Sequence, residues 1–344
     1  CAHQLLEMCG FQISALCLPD SVSRASDNHT DFYPVTYILT GIPGTEVSHF
    51  WMAIPFCLMY VVTLFGNFLL LFIILTEQSL HEPMYVFVSM LATADLLLST
   101  TTVPKILAVF WFRAGEISFA ACLTQMFFIH VSFLAESAIL LAMAFDRYVA
   151  ICDPLRYTII LTKSVIGKMG LAIVTRSFCF IFPIIFLVKR LKFCRTNLLP
   201  HTYCEHMVIA RLACDDITVS IWYVITSDLT LIALSYGLII KAVLRLSSKK
   251  AHQKALNTCT VHICVMLTYY TPGLFSNLTS RLGQGFAPYI HIILADLYLL
   301  IPPLLNPIIY GVRTKELRDK VEIINMIILL FSQHVNLGII WGYI

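Results

Sequence analysis

Met143-Ala144-Phe145-Asp146-Arg147-Tyr148-Val149-Ala150-Ile151-Cys152 closes a long apolar segment with an adjacent acid and base. The pair stands at the expected membrane boundary, with Asp153-Pro154 and Arg156 just beyond it. Neighbouring opposite charges at a helix end can pair in one conformation and release the arginine in another, which makes them a candidate two-state element. An arginine there also serves simply to mark the cytoplasmic end of a spanning helix. The surrounding pattern decides between the two.

The chain of 344 residues is 58% hydrophobic and 12% charged, against about 25% charged in an ordinary soluble domain. Its mean hydropathy is +0.82, so apolar residues must face lipid as well as each other. A polytopic all-α membrane protein is implied. The net charge of +3 gives no sign of nucleic-acid binding. A Gly-rich phosphate loop, His/Cys metal spacing and a nucleophile constellation are all missing, so neither an enzyme nor a cofactor or metal is expected.

Seven segments reach the roughly 20 apolar residues of a membrane span: about 50–75, 84–108, 118–145, 165–188, 218–244, 255–279 and 286–311. Lys105, Lys168 and Arg176 are expected near span ends or neighbours that tolerate them. The organisation is an extracellular N-terminal segment over 1–49, a seven-helix bundle over 50–312 and a cytoplasmic C-terminal segment over 313–344. With the N-terminus outside, Lys and Arg are more numerous on the inner side, and the third inner loop, 241–254, has five bases and no acid. That follows the positive-inside bias and offers a surface to an anionic membrane or an acidic partner. Leu5-Leu6 and Ile13 to Leu18 are too short and broken for a secretory signal, so the first span is expected to direct its own insertion. Asn28-His29-Thr30 is a glycosylation sequon in a polar stretch.

Cys194, Cys204 and Cys214 recur in the loop between spans four and five, and Cys122 opens span three on the same side. Four cysteines allow three pairings, in the oxidising compartment where disulfides persist. Cys122 with Cys204 would anchor the loop centre to span three and leave Cys194 for Cys214. Cys57, Cys179 and Cys264 read as small buried hydrophobes.

Ionisable groups at membrane depth are costly and mark candidate sites. Asp95 lies in span two, within reach of Asn67 in span one; Glu136 lies in span three, Asp228 in span five and Asp296 in span seven. Asn67, Asp95 and Glu136 read as an intramembrane polar network. His130 lies two turns below Cys122, about 12 Å by helical rise, and Arg281 just past the outer end of span six. Asn306-Pro307-Ile308-Ile309-Tyr310 combines a proline kink with an amide that can satisfy it.

These residues together resemble a rhodopsin-like G-protein-coupled receptor, and more narrowly an olfactory receptor. The resemblance is carried by Gly66-Asn67, Pro83 to Phe87 through Asp95-Leu96, and Met143 to Cys152. Ser235-Tyr236, Lys254 to His262 and Pro302 to Gly311 complete it, collinear over about 34–320. Gly41-Ile42-Pro43-Gly44, His201 to His206, Ile209 to Cys214 and Thr268 to Pro272 resemble the fish-like class I receptors, and family 52 among them.

The resemblance implies an odorant pocket among helices three, five and six and the second outer loop. Coupling to the stimulatory olfactory G protein, a rise in cyclic AMP and a plasma-membrane location follow from the same resemblance. For class I it implies a carboxylic-acid ligand, with Arg281 as anchor, since a guanidinium holds a carboxylate bidentately. His130, Asn277, Leu134 and Met207 would line the same pocket. Asp146, Arg147, Tyr148, Tyr236, Asn306, Pro307 and Tyr310 would carry switching and G-protein contact.

Departures are Asn277, where related chains usually carry an aromatic residue, and Asp296, where they often carry Asn. The first 24 residues and those after about 320 do not resemble the family; the apolar tail, Val321 to Ile344, would lie on the membrane or reflect an altered reading frame. A transporter would instead need a continuous polar stripe, and these groups are scattered.

Overall fold

The computed structural model describes residues 35–45, 48–191, 193, 196–210, 212, 237, 264–265, 267–269, 271, 288–314 and 317–320. The expectations placed on Asn28, Cys194, Cys214, Asp228, Tyr236, Asn277, Arg281 and the tail from Val321 lie outside these residues. So does most of spans five and six.

Five helices among the described residues are long and apolar enough to cross a membrane. They are α1 (His49–Thr76), α2 (Pro83–Phe112), α3 (Phe119–Cys152), α4 (Lys163–Arg190) and α5 (Pro288–Arg313). α2 packs on α1 and α3, α3 on α4, and α5 on α1 and α2. The apolar stretch of α3 is 67% buried, against 28% in α1 and in α4. α3 is therefore the central helix, while α1 and α4 show most of their apolar surface to lipid.

Local chemistry sets the boundaries. Pro83 opens α2 at a position that needs no N–H donor. Ser118 and Thr162 cap α3 and α4 by accepting from the Ala121 and Val165 amides. α3 runs past the apolar limit near residue 145 to Cys152, because Asp146 is buried inside the bundle and Pro154 is the first residue that stops a helix. A single 3-10 turn, Pro154–Arg156, and a short helical turn, Tyr157–Ile160, lead into α4.

At the opposite end lies a three-stranded sheet that hydrophobic periodicity does not announce. β1 (Thr36–Leu39) pairs antiparallel with β2 (Glu116–Ser118) and parallel with β3 (Leu198–Leu199). Gly115 is required there, since a Cβ would stand 2.1 Å from the Leu39 carbonyl oxygen. Tyr37, Leu39 and Ile42 pack with Phe193, Leu199 and Cys204 over the ends of α2 and α3.

One expectation is corrected. Cys179 is exposed on the lipid-facing side of α4 and is not a core residue. Arg176 stands at the middle of α4, and of the two expected means, a span end or a neighbour, it is a neighbour that accommodates it: its guanidinium lies 5.5 Å from the Phe180 ring centroid. Lys105, by contrast, reaches the carbonyls of Ala114 and Glu116 at 2.8 and 2.7 Å, toward the β-sheet end of α2.

Candidate functional site

At the Pro154 end of α3, Asp146 is fully buried. Its Oδ2 accepts from Arg147 Nε at 2.8 Å and from a second guanidinium nitrogen. Its Oδ1 accepts from the Tyr157 hydroxyl at 2.7 Å. Burial, and then the bond to Asp146, pushes the Tyr157 phenol well above its usual range. Three groups, two from α3 and one from the short helix after the 3-10 turn, thus close one latch, and the arginine side chain stays 19% exposed beneath it. Tyr148, next in the chain, is half-buried.

Above the latch, Tyr310 of α5 is buried and donates to Met143 Sδ at 3.7 Å, one turn before Arg147. Higher still, Asn306 Nδ2 donates to both oxygens of buried Asp95, at 3.1 and 3.0 Å. Asn67 is in the same layer but does not bond Asp95: its amide goes to the carbonyls of Thr63 and Pro303. The amide that satisfies the Pro307 kink is therefore that of Asn67 on α1, not that of Asn306, whose N–H groups are committed to Asp95. Glu136 is fully buried and neither of its oxygens has a hydrogen-bond partner among the described residues.

At the β-sheet end, the Cys122–Cys204 disulfide ties the loop after α4 to the start of α3. Gln125 reinforces it by accepting from the Cys204 amide and donating to the Thr101 carbonyl, each at 3.0 Å. The Thr202 hydroxyl donates to Asp296, which is buried in α5, so the loop is held to two helices, α3 and α5. His206 opens a short helix, His206–Ala210, on which Met207 falls.

The His206 ring meets His130 edge-on at 6.0 Å. Burial lowers His206 to about 4 and His201, which lies edge-on to Tyr203, to about 3. His130 is half-buried and joins this cap from below. Leu134, one turn on, packs instead with Val131, Ile181 and Ile184 against α4. Deeper, Phe133 stacks on Tyr298 at 4.9 Å, and the Tyr269 hydroxyl donates to the Phe133 carbonyl at 2.7 Å.

His206 was not singled out in the sequence. The signal for it was its place two residues after Cys204, which the disulfide brings onto α3. The structure joins His130 to His206, Asp95 to Asn306 and Asp146 to Arg147, and it gathers no cluster of metal-ligating residues among those described.

A family model described as olfactory receptor matches residues 56–328. Human olfactory receptor 52B2 is 56% identical over 301 residues, covering 86% of this chain and 93% of the relative. Human olfactory receptor 52H1 is 53% identical over 313 residues, covering 89% and 98%. The crystal structure of squid rhodopsin superposes with a TM-score of 0.63 at 15% identity, over 84% of this chain and 88% of that one. That likeness gives the fold: a seven-helix transmembrane bundle.

Proposed function

The chain belongs to the olfactory receptor family, and from that premise we propose that it binds a small carboxylic acid and activates a stimulatory heterotrimeric G protein, raising cyclic AMP. It is a multi-pass plasma-membrane protein and not an enzyme. In this reading the sheet-capped end faces outward and the Asp146–Arg147 end faces the G protein.

The ligand would lie under the capping loop, with its carboxylate on Arg281, Asn277 one helical turn away, and its head group within reach of His130 and His206. Its alkyl chain would gain about 0.8 kcal/mol per CH₂ buried. Leu134 and Met207 would shape the apolar part once the helices rearrange. Binding acts by population shift: the acid favours the state in which helix six has moved outward and Asp146 has released Arg147. The G protein then docks against Arg147, Tyr148, Tyr236 and the basic third loop, while Asn306, Pro307 and Tyr310 let the end of α5 adopt its second arrangement.

The observation that carries this reading is the buried Asp146, which holds Arg147 and is itself held by Tyr157. It is a closed latch at the end of the central helix whose other end is tied to the cap, and in this reading it is the element that switches. The test is cyclic AMP in cells expressing the full chain at monitored surface level, against straight-chain acids and their matched alcohols. A response to acids alone supports the reading. A response to alcohols alone removes the acid pocket, and silence to both at good surface level overturns the signalling claim for this ligand class.

A further inference from the structure

A cleft of about 670 Å³ opens between the N-terminus of α2, the turn after Pro154 and the N-terminus of α4. It belongs neither to the capped end nor to the latch, though it shares Tyr157 with the latch. Its deeper wall is apolar: Val86 and Met90 from α2 face Ile166 from α4. Gly167 and Gly170 leave the α4 side without side chains. A Cβ at Gly167 would meet nothing within 4 Å, and one at Gly170 would touch Met90 Cε at 3.2 Å. Further along the same helix α4 carries exposed apolar side chains, Leu171 at 68% and Val174 at 49% exposed.

Its mouth is charged with both signs. Glu82 stands on the α2 wall and Lys163 on the α4 wall, both exposed, and no ion pair joins them among the described residues. α4 begins at this mouth with Lys163, so its N-terminal amides add positive potential beside that side chain. A ligand that suits this cleft has an anionic group, an N–H cation close to it, and an aliphatic tail lying along the membrane side.

We propose that the cleft seats one aminophospholipid, with its phosphate at Lys163, its primary ammonium at Glu82 and an acyl chain along Met90, Gly167 and Gly170. The seat stands whether or not the odorant is an acid.

The full chain in phosphatidylcholine nanodiscs, doped with a phosphatidylethanolamine carrying a photoactivatable acyl chain, tests this by peptide mapping. Adducts are expected on residues 83–90 and 161–170, above the level on the lipid-facing Phe65, Phe68 and Phe72 of α1. Unlabelled phosphatidylethanolamine should displace the probe. Phosphatidylcholine, without N–H donors, and phosphatidylglycerol, without a cation, should not. Lys163→Gln and Glu82→Gln, both at exposed positions, should each lower the adduct about threefold, the scale of one exposed charge pair, while Phe68→Ala leaves it unchanged. Equal labelling of α1 overturns the proposal, as does displacement by phosphatidylcholine. Loss in Lys163→Gln with no change in Glu82→Gln overturns the aminophospholipid assignment.

Discussion

Asn67 of α1 donates its amide at 2.9 Å to the Pro303 carbonyl of α5, the oxygen that Pro307 leaves without a helical donor. The two helices come close enough for this because residue 66 is glycine: a Cβ there would stand 3.0 Å from Pro307 Cγ. Gly66-Asn67 and Pro307 are thus one device. The proline frees a carbonyl, the glycine lets α1 approach it, and the asparagine satisfies it.

Asn67→Ala should therefore cost about 1–3 kcal/mol, the penalty for a buried acceptor left unpaired, even though it deletes no charge. Gly66→Ala should destabilise by forcing α1 and α5 apart. Thermal unfolding of the purified receptor measures both. A transition unmoved in Asn67→Ala would mean that the carbonyl is satisfied from elsewhere.

Tyr157→Phe deletes one donor to Asp146 and leaves the ring in place. The paired state loses about 1 kcal/mol, a typical net hydrogen bond, so ligand-free signalling should rise roughly fivefold at unchanged surface level. Basal cyclic AMP per receptor at the surface is the measurement. A fall in basal activity would show that Tyr157 serves the active state instead.

The helices were legible because a span is a statement about length and composition. The segment 50–75 became His49–Thr76, and 165–188 became Lys163–Arg190. The Asp146–Arg147 pair was legible because its partners are adjacent in the chain. What was not legible depends on distant residues meeting. β1 is four residues long and exists only because Gly115 and Leu199 arrive beside it. Asn67 shares a layer with Asp95, so proximity in depth suggested a bond that the Pro303 carbonyl takes instead. His206 carries no periodic signal and reaches His130 because the Cys122–Cys204 tie, with Gln125 and Thr202, holds the loop against the helices.

Arg281→Ala should abolish the response to acids while surface expression stays intact, since a desolvated carboxylate needs its guanidinium partner. Dose–response curves for acids in that variant provide the check. Retained acid potency would remove Arg281 as anchor.

His130 and His206 should act as a unit, because their rings touch across the α3–loop junction at 6.0 Å. His130→Ala, His206→Ala and the double variant form a cycle. Aromatic contacts of this kind couple by about 0.5–1.5 kcal/mol, so the combined loss in ligand potency should be smaller than the sum of the single losses by roughly that amount. Strict additivity would place the two rings in separate roles.

The cap should loosen in acid. In the closed loop burial holds His201 down to about 3 and His206 to about 4, whereas in an opened loop each would titrate near its ordinary value of about 6.5. Between those values the opened loop binds more protons, so stability falls as pH falls. The contribution is fully present above about pH 6.5 and drains away toward the folded-state values near 4 and 3. Amide exchange of residues 196–210, corrected for intrinsic rate, should therefore be faster at about pH 5 than at about pH 7, while α1 shows no such change. His206→Gln keeps the loop's polarity but removes one titrating ring, so it should shrink that difference. Equal protection at the two pH values would mean that the histidines stay neutral in the opened loop as well, and that their burial puts no pH dependence into the cap.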